Sequence, residues 1–141
     1  MAVVADVDQL SAAISHATAP AFMLGAVAGF LSILISRMER IADRNRALQS
    51  GGGALDPSVR EAIAKSFARR MLLLGRAIYF AVLSALVTAA LLIGAFAAAL
   101  LGLGHAGIVA LMFVVALALL MASLIELTRE IRVHLATMGL D

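Results

Sequence analysis

Three charged side chains border the two long uncharged runs of this sequence, and their signs predict an ion pair. Arg37 follows the uncharged residues 10–36, and Arg76 and Glu126 stand on either side of the uncharged residues 77–125. A charged group at the edge of a long apolar run requires an opposite charge or water. We therefore predict that Glu126 pairs with Arg76 or Arg37.

A wider set of charges lies between the two runs, because nine of the eleven Lys and Arg residues fall at positions 37–76. We expect Glu39 and Asp43 to face some of the arginines at positions 69, 70 and 76. The set predicts a structural clamp, which means ion pairs between helices that fix how the helices are aligned along their length. Two alternatives stay open: binding of anionic lipid headgroups or a partner protein, and a charged ring that filters ions. It comprises Arg37, Glu39, Arg40, Asp43, Arg44, Arg46, Arg69, Arg70, Arg76 and Glu126.

Small and polar side chains recur every three or four residues along the first uncharged run, which is the spacing of one helix face. Gly25 and Gly29 form a GxxxG pair there, and small residues at that spacing let two helix backbones approach closely in lipid. One interpretation is close packing, within the monomer or between copies. The other is a face that lines a water-filled path at the centre of an oligomer. We call it the small-residue face, and it consists of Ser11, Ser15, Thr18, Phe22, Gly25, Gly29, Ser32 and Ser36.

Pro20 lies beside this face, near the start of the run. Its ring removes a backbone donor and frees the carbonyl of His16 about one turn earlier, which tends to kink a helix or to start one. One interpretation is a membrane helix that begins at Pro20, preceded by a separate helix at the membrane surface over residues 8–18. The other is a mouth or gate at which His16 titrates near neutral pH.

The residue types that most enzymes need are missing or badly spaced. The chain has no cysteine, and its histidines at positions 16, 105 and 134 have no metal-ligand spacing. No Ser-His-Asp set, phosphate-binding loop or pair of acid and base carboxylates can be assembled. We therefore expect no enzymatic activity, no metal and no cofactor. The uncharged runs also lack the ionisable groups that proton- or sodium-coupled transporters keep near mid-membrane.

The composition indicates the environment in which these groups act. Hydrophobic residues make up 63% of the 141-residue chain and charged residues 14%, with a mean hydropathy of +1.04, which is typical of an integral membrane protein with a single domain. Residues 77–125 are too many for one span, and glycines at positions 102, 104 and 107 predict a tight turn within them. The sequence predicts an all-α fold with transmembrane helices at about residues 17–37, 77–101 and 108–127.

The residues between the first two spans also predict helix. Asp56 and Pro57 are typical of a helix start, as the N-cap and the first helical residue. We expect an antiparallel helical hairpin over about residues 38–76, closed by a turn at the glycines 51–53. Two stripes with helical spacing support it: Leu34, Met38, Ile41, Asn45 and Leu48 on the first helix, and Val59, Ile63, Phe67, Arg70 and Leu74 on the second.

The distribution of charge predicts the orientation in the membrane. The basic residues 37–76 are expected in the cytoplasm by the positive-inside rule, and so are Arg129 and Arg132 after the last span. The stretch before residue 10 has no Lys or Arg, so the first span is expected to persist rather than to be cleaved as a signal peptide. The N-terminus is then outside and the C-terminus cytoplasmic. The pI of 9.9 thus reflects orientation, and no nucleic-acid partner is expected.

Three segments of the sequence resemble a known family of bacterial membrane proteins. They are Ala19-Pro-Ala-Phe-Met-Leu24, the string from Arg37 to Leu48 with the pattern R-x-x-R-I-x-D-R-x-R-x-L, and the segment from Arg69 to Ile78. The family is catalogued as domain of unknown function 2721, and the resemblance covers most of the chain. It implies a small multi-pass protein of the bacterial inner membrane and no particular activity.

Two functions fit these observations. The first is a homo-oligomeric channel for ions or small solutes, in which several copies surround a path lined by the small-residue face, because three spans are too few to enclose one. The alternative is a non-conducting accessory or scaffolding subunit that docks another membrane complex or anionic lipid through the Arg-rich hairpin. An uncoupled carrier is disfavoured, since three spans show no inverted repeat.

Overall fold

The chain folds into three long α-helices. The computed structural model describes residues 2–50, 56–101 and 106–138. The helices are α1 (Ala2–Ser50), α2 (Pro57–Leu100) and α3 (Ala106–Met138). Each contains a stretch that is long and apolar enough to cross a membrane, which confirms the predicted all-helical chain with three candidate membrane helices.

α2 begins where the sequence predicts. The carboxylate of Asp56 accepts hydrogen bonds from the backbone N–H of Ser58 at 3.1 Å and from the Ser58 hydroxyl at 3.0 Å, and Pro57 is the first helical residue. Asp56 thereby satisfies a backbone donor that has no partner inside the helix, while proline has no N–H to satisfy. The helix then continues without interruption to Leu100.

Pro20 does not start a helix. α1 is continuous from Ala2 and contains Pro20 in its interior, so a separate surface helix over residues 8–18 is wrong. Pro20 is buried on the same side of the helix as Ala17 and Met23. Membrane helices tolerate proline because their surroundings compensate for the freed backbone group.

α1 and α2 pack side by side in opposite directions. Residues 41–49 of α1 lie beside residues 64–71 of α2, whereas residues 14–26 lie beside Leu92 and Phe96. Positions that rise along α1 therefore meet positions that fall along α2. The two helices have the antiparallel arrangement that the paired stripes predict.

Large apolar side chains of α1 fill its contact with α2 at seven-residue intervals, the spacing of helices that pack along their length. Val27, Leu34 and Ile41 are buried there in one cluster with side chains of α2. Burial decreases toward the ends that approach each other, because Leu48 is 38% exposed and Val59 is 45% exposed. The predicted stripes are thus tightly packed only in the half nearer the middle of the helices.

α3 is longer than the predicted third span, since it continues past residue 127 to Met138. No glycine or proline interrupts the sequence between Gly107 and Gly139, so nothing in that stretch ends a helix. Gly107, expected in a turn, lies in the first turn of α3. The predicted turns at residues 51–53 and 102–104 lie outside the described residues.

Buried hydroxyl groups fasten α2 to α3. The hydroxyl of Ser84 donates to the carbonyl of Ala116 at 2.8 Å, and the hydroxyl of Ser123 donates to the carbonyl of Ala77 at 2.6 Å. Thr88, also buried, donates to the carbonyl of Ser84 within α2 at 2.8 Å. Small polar residues commonly join helices in this way in lipid, where no water competes for the donor.

The substitution Ser123→Ala should destabilise the α2–α3 pair, because it removes a buried hydrogen bond between the helices. We expect the free energy of unfolding to fall by about 1 kcal/mol, the size of such bonds in membranes. Thr128→Val is the matched control, since its exposed hydroxyl bonds within α3 to the carbonyl of Leu124 at 2.8 Å. Equilibrium unfolding in mixed detergent and dodecyl sulfate micelles measures both. Equal losses for the two variants would contradict the role given to Ser123.

Candidate functional site

A single buried carboxylate connects all three helices. Glu130 of α3 is fully buried, and its Oε1 accepts a hydrogen bond from Nε of Arg70 on α2 at 2.8 Å. Its Oε2 lies 2.9 Å from Nε of Arg37 on α1, which is an ion-pair contact without a hydrogen bond among the described residues. Because an unpaired charge is very unfavourable in such surroundings, the two arginines and the glutamate fix the relative positions of the helices at this end.

A second carboxylate, Glu126, lies one turn earlier on the same side of α3. Nη2 of Arg76 on α2 is 3.2 Å from its Oε1, so the predicted pairing of Glu126 with Arg76 is present. Nη1 of Arg129 approaches the same oxygen at 3.6 Å. The other carboxylate oxygen of Glu126 is buried and has no hydrogen-bond partner among the described residues.

These residues form what we call the charge cluster, and their charges do not balance. Each carboxylate is shared by two guanidinium groups, so positive charge is in excess. The excess is accessible mainly at Arg76 and Arg129, whose side chains are 55% and 61% exposed, whereas that of Arg70 is only 11% exposed. The cluster comprises Arg37, Arg70, Arg76, Glu126, Arg129 and Glu130.

In the part of the chain that the structure describes, Glu39 and Asp43 form no ion pair with Arg69, Arg70 or Arg76, so that expectation is wrong. Asp43 pairs with Arg46 on its own helix at 3.1 Å, and Glu39 is exposed. Arg70 and Arg76 find their carboxylates on α3 instead. The reason is geometric. Glu39 and Asp43 lie on the exposed side of α1. Arg70 lies on the buried face of α2, which meets both α1 and α3.

Glu130 was missed by the sequence analysis, although a signal for it exists. Glu126 and Glu130 are separated by four residues, which places both on one helix face, and Ser123 lies on that face as well. The third span is predicted to end at residue 127, before Glu130, and Glu130 is not among the predicted charged residues. Once α3 is seen to continue, the four-residue spacing identifies both glutamates as interior groups.

Four arginines of the predicted charged set lie outside the charge cluster. Arg40, Arg44, Arg46 and Arg69 are all exposed. Arg40 donates through Nε to the carbonyl of Ser36 at 3.2 Å, and Arg46 has its pair with Asp43. The predicted charged set is thus divided by the structure: some members hold helices together, and the others are available to headgroups or partners.

The small-residue face of α1 is exposed along its whole length. A Cβ atom added at Gly25 or at Gly29 would meet no atom within 4 Å, so close packing within the monomer is wrong for these glycines. The buried side of α1 is a different face that includes Val27 and Leu34. Pro20 belongs to that buried side rather than to the small-residue face, and the side chain of His16 lies outside the described residues.

An apolar groove of about 770 Å³ runs beside the small-residue face, between α1 and α2. Thr18, Phe22 and Gly25 belong to both the face and the groove, and Leu92 and Phe96 form the opposite wall. The hydroxyl of Thr18 is satisfied within its own helix by the carbonyl of Ile14 at 3.0 Å. The groove therefore offers shape and apolar contact rather than free polar groups.

Residues 17–140 match a family model described as Protein of unknown function (DUF2721). The match includes all of α2 and α3 and every residue of the charge cluster, and it confirms the resemblance found in the sequence. Searches of curated proteins and of solved structures give no match.

The substitution Glu130→Gln should destabilise the folded chain strongly, because it leaves two guanidinium groups beside a buried neutral side chain. We expect a loss of about 3 kcal/mol in the free energy of unfolding, as for other buried ion pairs that lose one partner. Adding Arg70→Met should recover part of this loss, since Arg70 is the less exposed of the two arginines. Unfolding in mixed micelles measures each variant.

Glu61→Gln is the control, because Glu61 forms an exposed pair with Lys65 along α2. It should leave the free energy of unfolding unchanged within error, as exposed pairs contribute little. The loss of stability is attributed to buried charge that has lost its partner. A double variant Glu130→Gln with Arg70→Met that is less stable than Glu130→Gln alone would contradict this explanation.

Proposed function

We propose that this chain, which belongs to the family described as Protein of unknown function (DUF2721), is a homo-oligomeric membrane channel for ions or small solutes. Several copies surround a path that the small-residue face of α1 lines, and the glycines of this face allow neighbouring α1 helices to approach closely around it. α2 and α3 form the layer between α1 and lipid.

The observation that carries this proposal is the exposure of the small-residue face. The face contains hydroxyl groups and two glycines that no other part of the described chain covers. Glycines four residues apart leave a helix backbone bare, and in lipid such surfaces typically pack against another helix. Because α2 and α3 cover a different side of α1, a helix that packs on this face has to come from another chain, and a second copy is the partner that we propose.

The outward residues of α3 differ in kind from those of α1. Ile108, Leu111 and Val114 are 58%, 65% and 60% exposed, and large aliphatic side chains of this type suit contact with lipid chains. On α1 the exposed positions include serine, threonine and glycine at regular helical spacing. This contrast favours an assembly with α3 outside and α1 at the centre.

A path along α1 would vary in character with depth. Hydroxyl-bearing residues lie toward both ends of the small-residue face, and Phe22 interrupts them with a side chain that is 78% exposed. Repeated around an axis, Phe22 would form an apolar constriction, and such constrictions can gate a pore by excluding water. Three helices per chain require several chains to surround the path.

The proposal includes the orientation predicted from charge. The Arg-rich part of α1 and α2, about residues 38–76, faces the cytoplasm of a bacterial cell and the N-terminus lies outside its inner membrane. The membrane segments are then about residues 17–37, 77–101 and 108–127. In this orientation the charge cluster lies at the cytoplasmic ends of all three spans.

The alternative, a non-conducting accessory or scaffolding subunit, is favoured by the exposed arginines. Arg40, Arg44 and Arg69 are exposed outside the charge cluster and could recognise another membrane complex or anionic lipid. In that case the small-residue face packs against a foreign helix and stays dry. The two functions differ in what the purified particle contains.

The mass of the particle tests self-association first. We expect native mass spectrometry in mild detergent or nanodiscs to give one closed homo-oligomer of roughly four or more copies, enough to surround a path. Gly25→Leu should reduce the oligomer to smaller species, because the larger side chain keeps neighbouring α1 helices from approaching closely around the path. Gly94→Leu should leave it intact.

Gly94 is a matched control because it is an exposed glycine within α2 at which an added Cβ also meets nothing within 4 Å. Both substitutions raise helix propensity alike and differ in the face they alter. A monomer, or a stoichiometric complex with a different protein, would contradict the channel and favour the accessory subunit.

Cysteine substitution tests whether the small-residue face meets water. The chain has no cysteine, so Ser15→Cys, Gly25→Cys and Ser32→Cys each introduce a single thiol. We expect these thiols to react with a water-soluble maleimide in membranes, because water fills the path. Leu111→Cys, on the exposed aliphatic side of α3, should remain unreactive. Failure of every small-residue position to react would exclude a hydrated path along α1.

A further inference from the structure

We propose that Arg76 and Arg129 form a binding site for the phosphate group of an anionic phospholipid. The proposal concerns a surface of α2 and α3 and does not depend on whether the chain forms a channel. It starts from the second half of the charge cluster, where two arginines share one carboxylate.

The two guanidinium groups converge on one atom. Nη2 of Arg76 and Nη1 of Arg129 lie 3.2 Å and 3.6 Å from the same oxygen, Oε1 of Glu126. They come from different helices, so Glu126 holds them close enough to contact one phosphate together. Each guanidinium has five N–H donors, and most of them remain free when one nitrogen faces the carboxylate.

Exposure and charge distinguish this pair from the pair at Glu130. The side chains of Arg76 and Arg129 are 55% and 61% exposed, whereas Glu126 between them is 5% exposed. The carboxylate therefore neutralises one positive charge from the inner side and leaves the other facing outward. Phosphate oxygens match guanidinium groups in geometry and charge, and such hydrogen bonds are among the strongest in proteins.

The position along the helices favours a lipid over a free phosphate ion. Arg76 directly precedes the uncharged residues 77–125, and Glu126 directly follows them, so the pair lies where the apolar surface ends. Tyr79, one turn into the apolar part of α2, is 64% exposed, and Ile125 on α3 is 48% exposed. An acyl chain can lie against these side chains while its phosphate lies between the arginines, and tyrosine is common at this depth.

Native mass spectrometry with added lipid tests the site. Phosphatidylglycerol is titrated into the detergent-solubilised full chain, with phosphatidylcholine as the zwitterionic comparison. We expect Arg129→Gln to weaken phosphatidylglycerol binding roughly tenfold, the loss of one charge-assisted hydrogen bond. The affinity of Arg129→Lys for phosphatidylglycerol should lie between those of the unsubstituted chain and of Arg129→Gln. Lysine keeps the positive charge but lacks the forked guanidinium group. Arg76 remains in both variants, so Glu126 keeps its ion pair and the fold is preserved.

Arg69→Gln is the control, since Arg69 is exposed and lies seven residues before Arg76, on nearly the same face of α2. It removes the same charge and should leave the affinity unchanged. Equal weakening by Arg69→Gln and Arg129→Gln would overturn the proposal in favour of unspecific attraction. No effect of Arg129→Gln would overturn it as well. Displacement of the lipid by millimolar inorganic phosphate would show a general anion site and overturn the lipid assignment.

Discussion

The ion pairs made by the carboxylate of Glu130 are the interactions on which the rest of the structure depends. This carboxylate is fully buried and is the partner of Arg37 from α1 and Arg70 from α2. Separating a buried charge from its partners costs several kcal/mol, so a slide of any helix by one turn would be strongly unfavourable. Apolar packing between membrane helices is less selective, because lipid competes for the same surfaces. The ion pairs therefore determine how the helices are aligned along their length, and the apolar side chains pack within that alignment.

The contact between α2 and α3 contains more polar interactions than the contacts of α1 with the rest of the bundle. α2 and α3 share hydrogen bonds from Ser84 and Ser123 and ion pairs at both glutamates, distributed over much of their length. Among the described residues, α1 pairs with α3 at Arg37, and its other contacts within the bundle are mainly apolar. α2 and α3 thus form a firm pair, to which α1 is attached by its interior face. The outward face of α1 is left with small residues, which is the surface most suited to a further helix.

The sequence predicts the helices well and their mutual faces poorly, for a physical reason. Asp56 and Pro57 mark a helix start by local chemistry, and Glu126 pairs with Arg76 because both border the same uncharged run. The inward roles of Ser84, Ser123 and Glu130 could not be found as readily. In water an amphipathic pattern reveals the buried side of a helix, but in lipid both sides are apolar and that contrast disappears.

Because of the same loss of contrast, the sequence alone does not show whether the small-residue face packs within the chain or against another chain. Its spacing indicates a packing surface, yet it cannot say whether the partner helix belongs to the same chain. The buried side of α1 carries Val27, Leu34 and Ile41, large residues that already occupy the contact with α2. Only one helix face can meet α2, so Gly25 and Gly29 remain exposed. That constraint, rather than the GxxxG spacing itself, supports the proposal that a second copy packs beside this face.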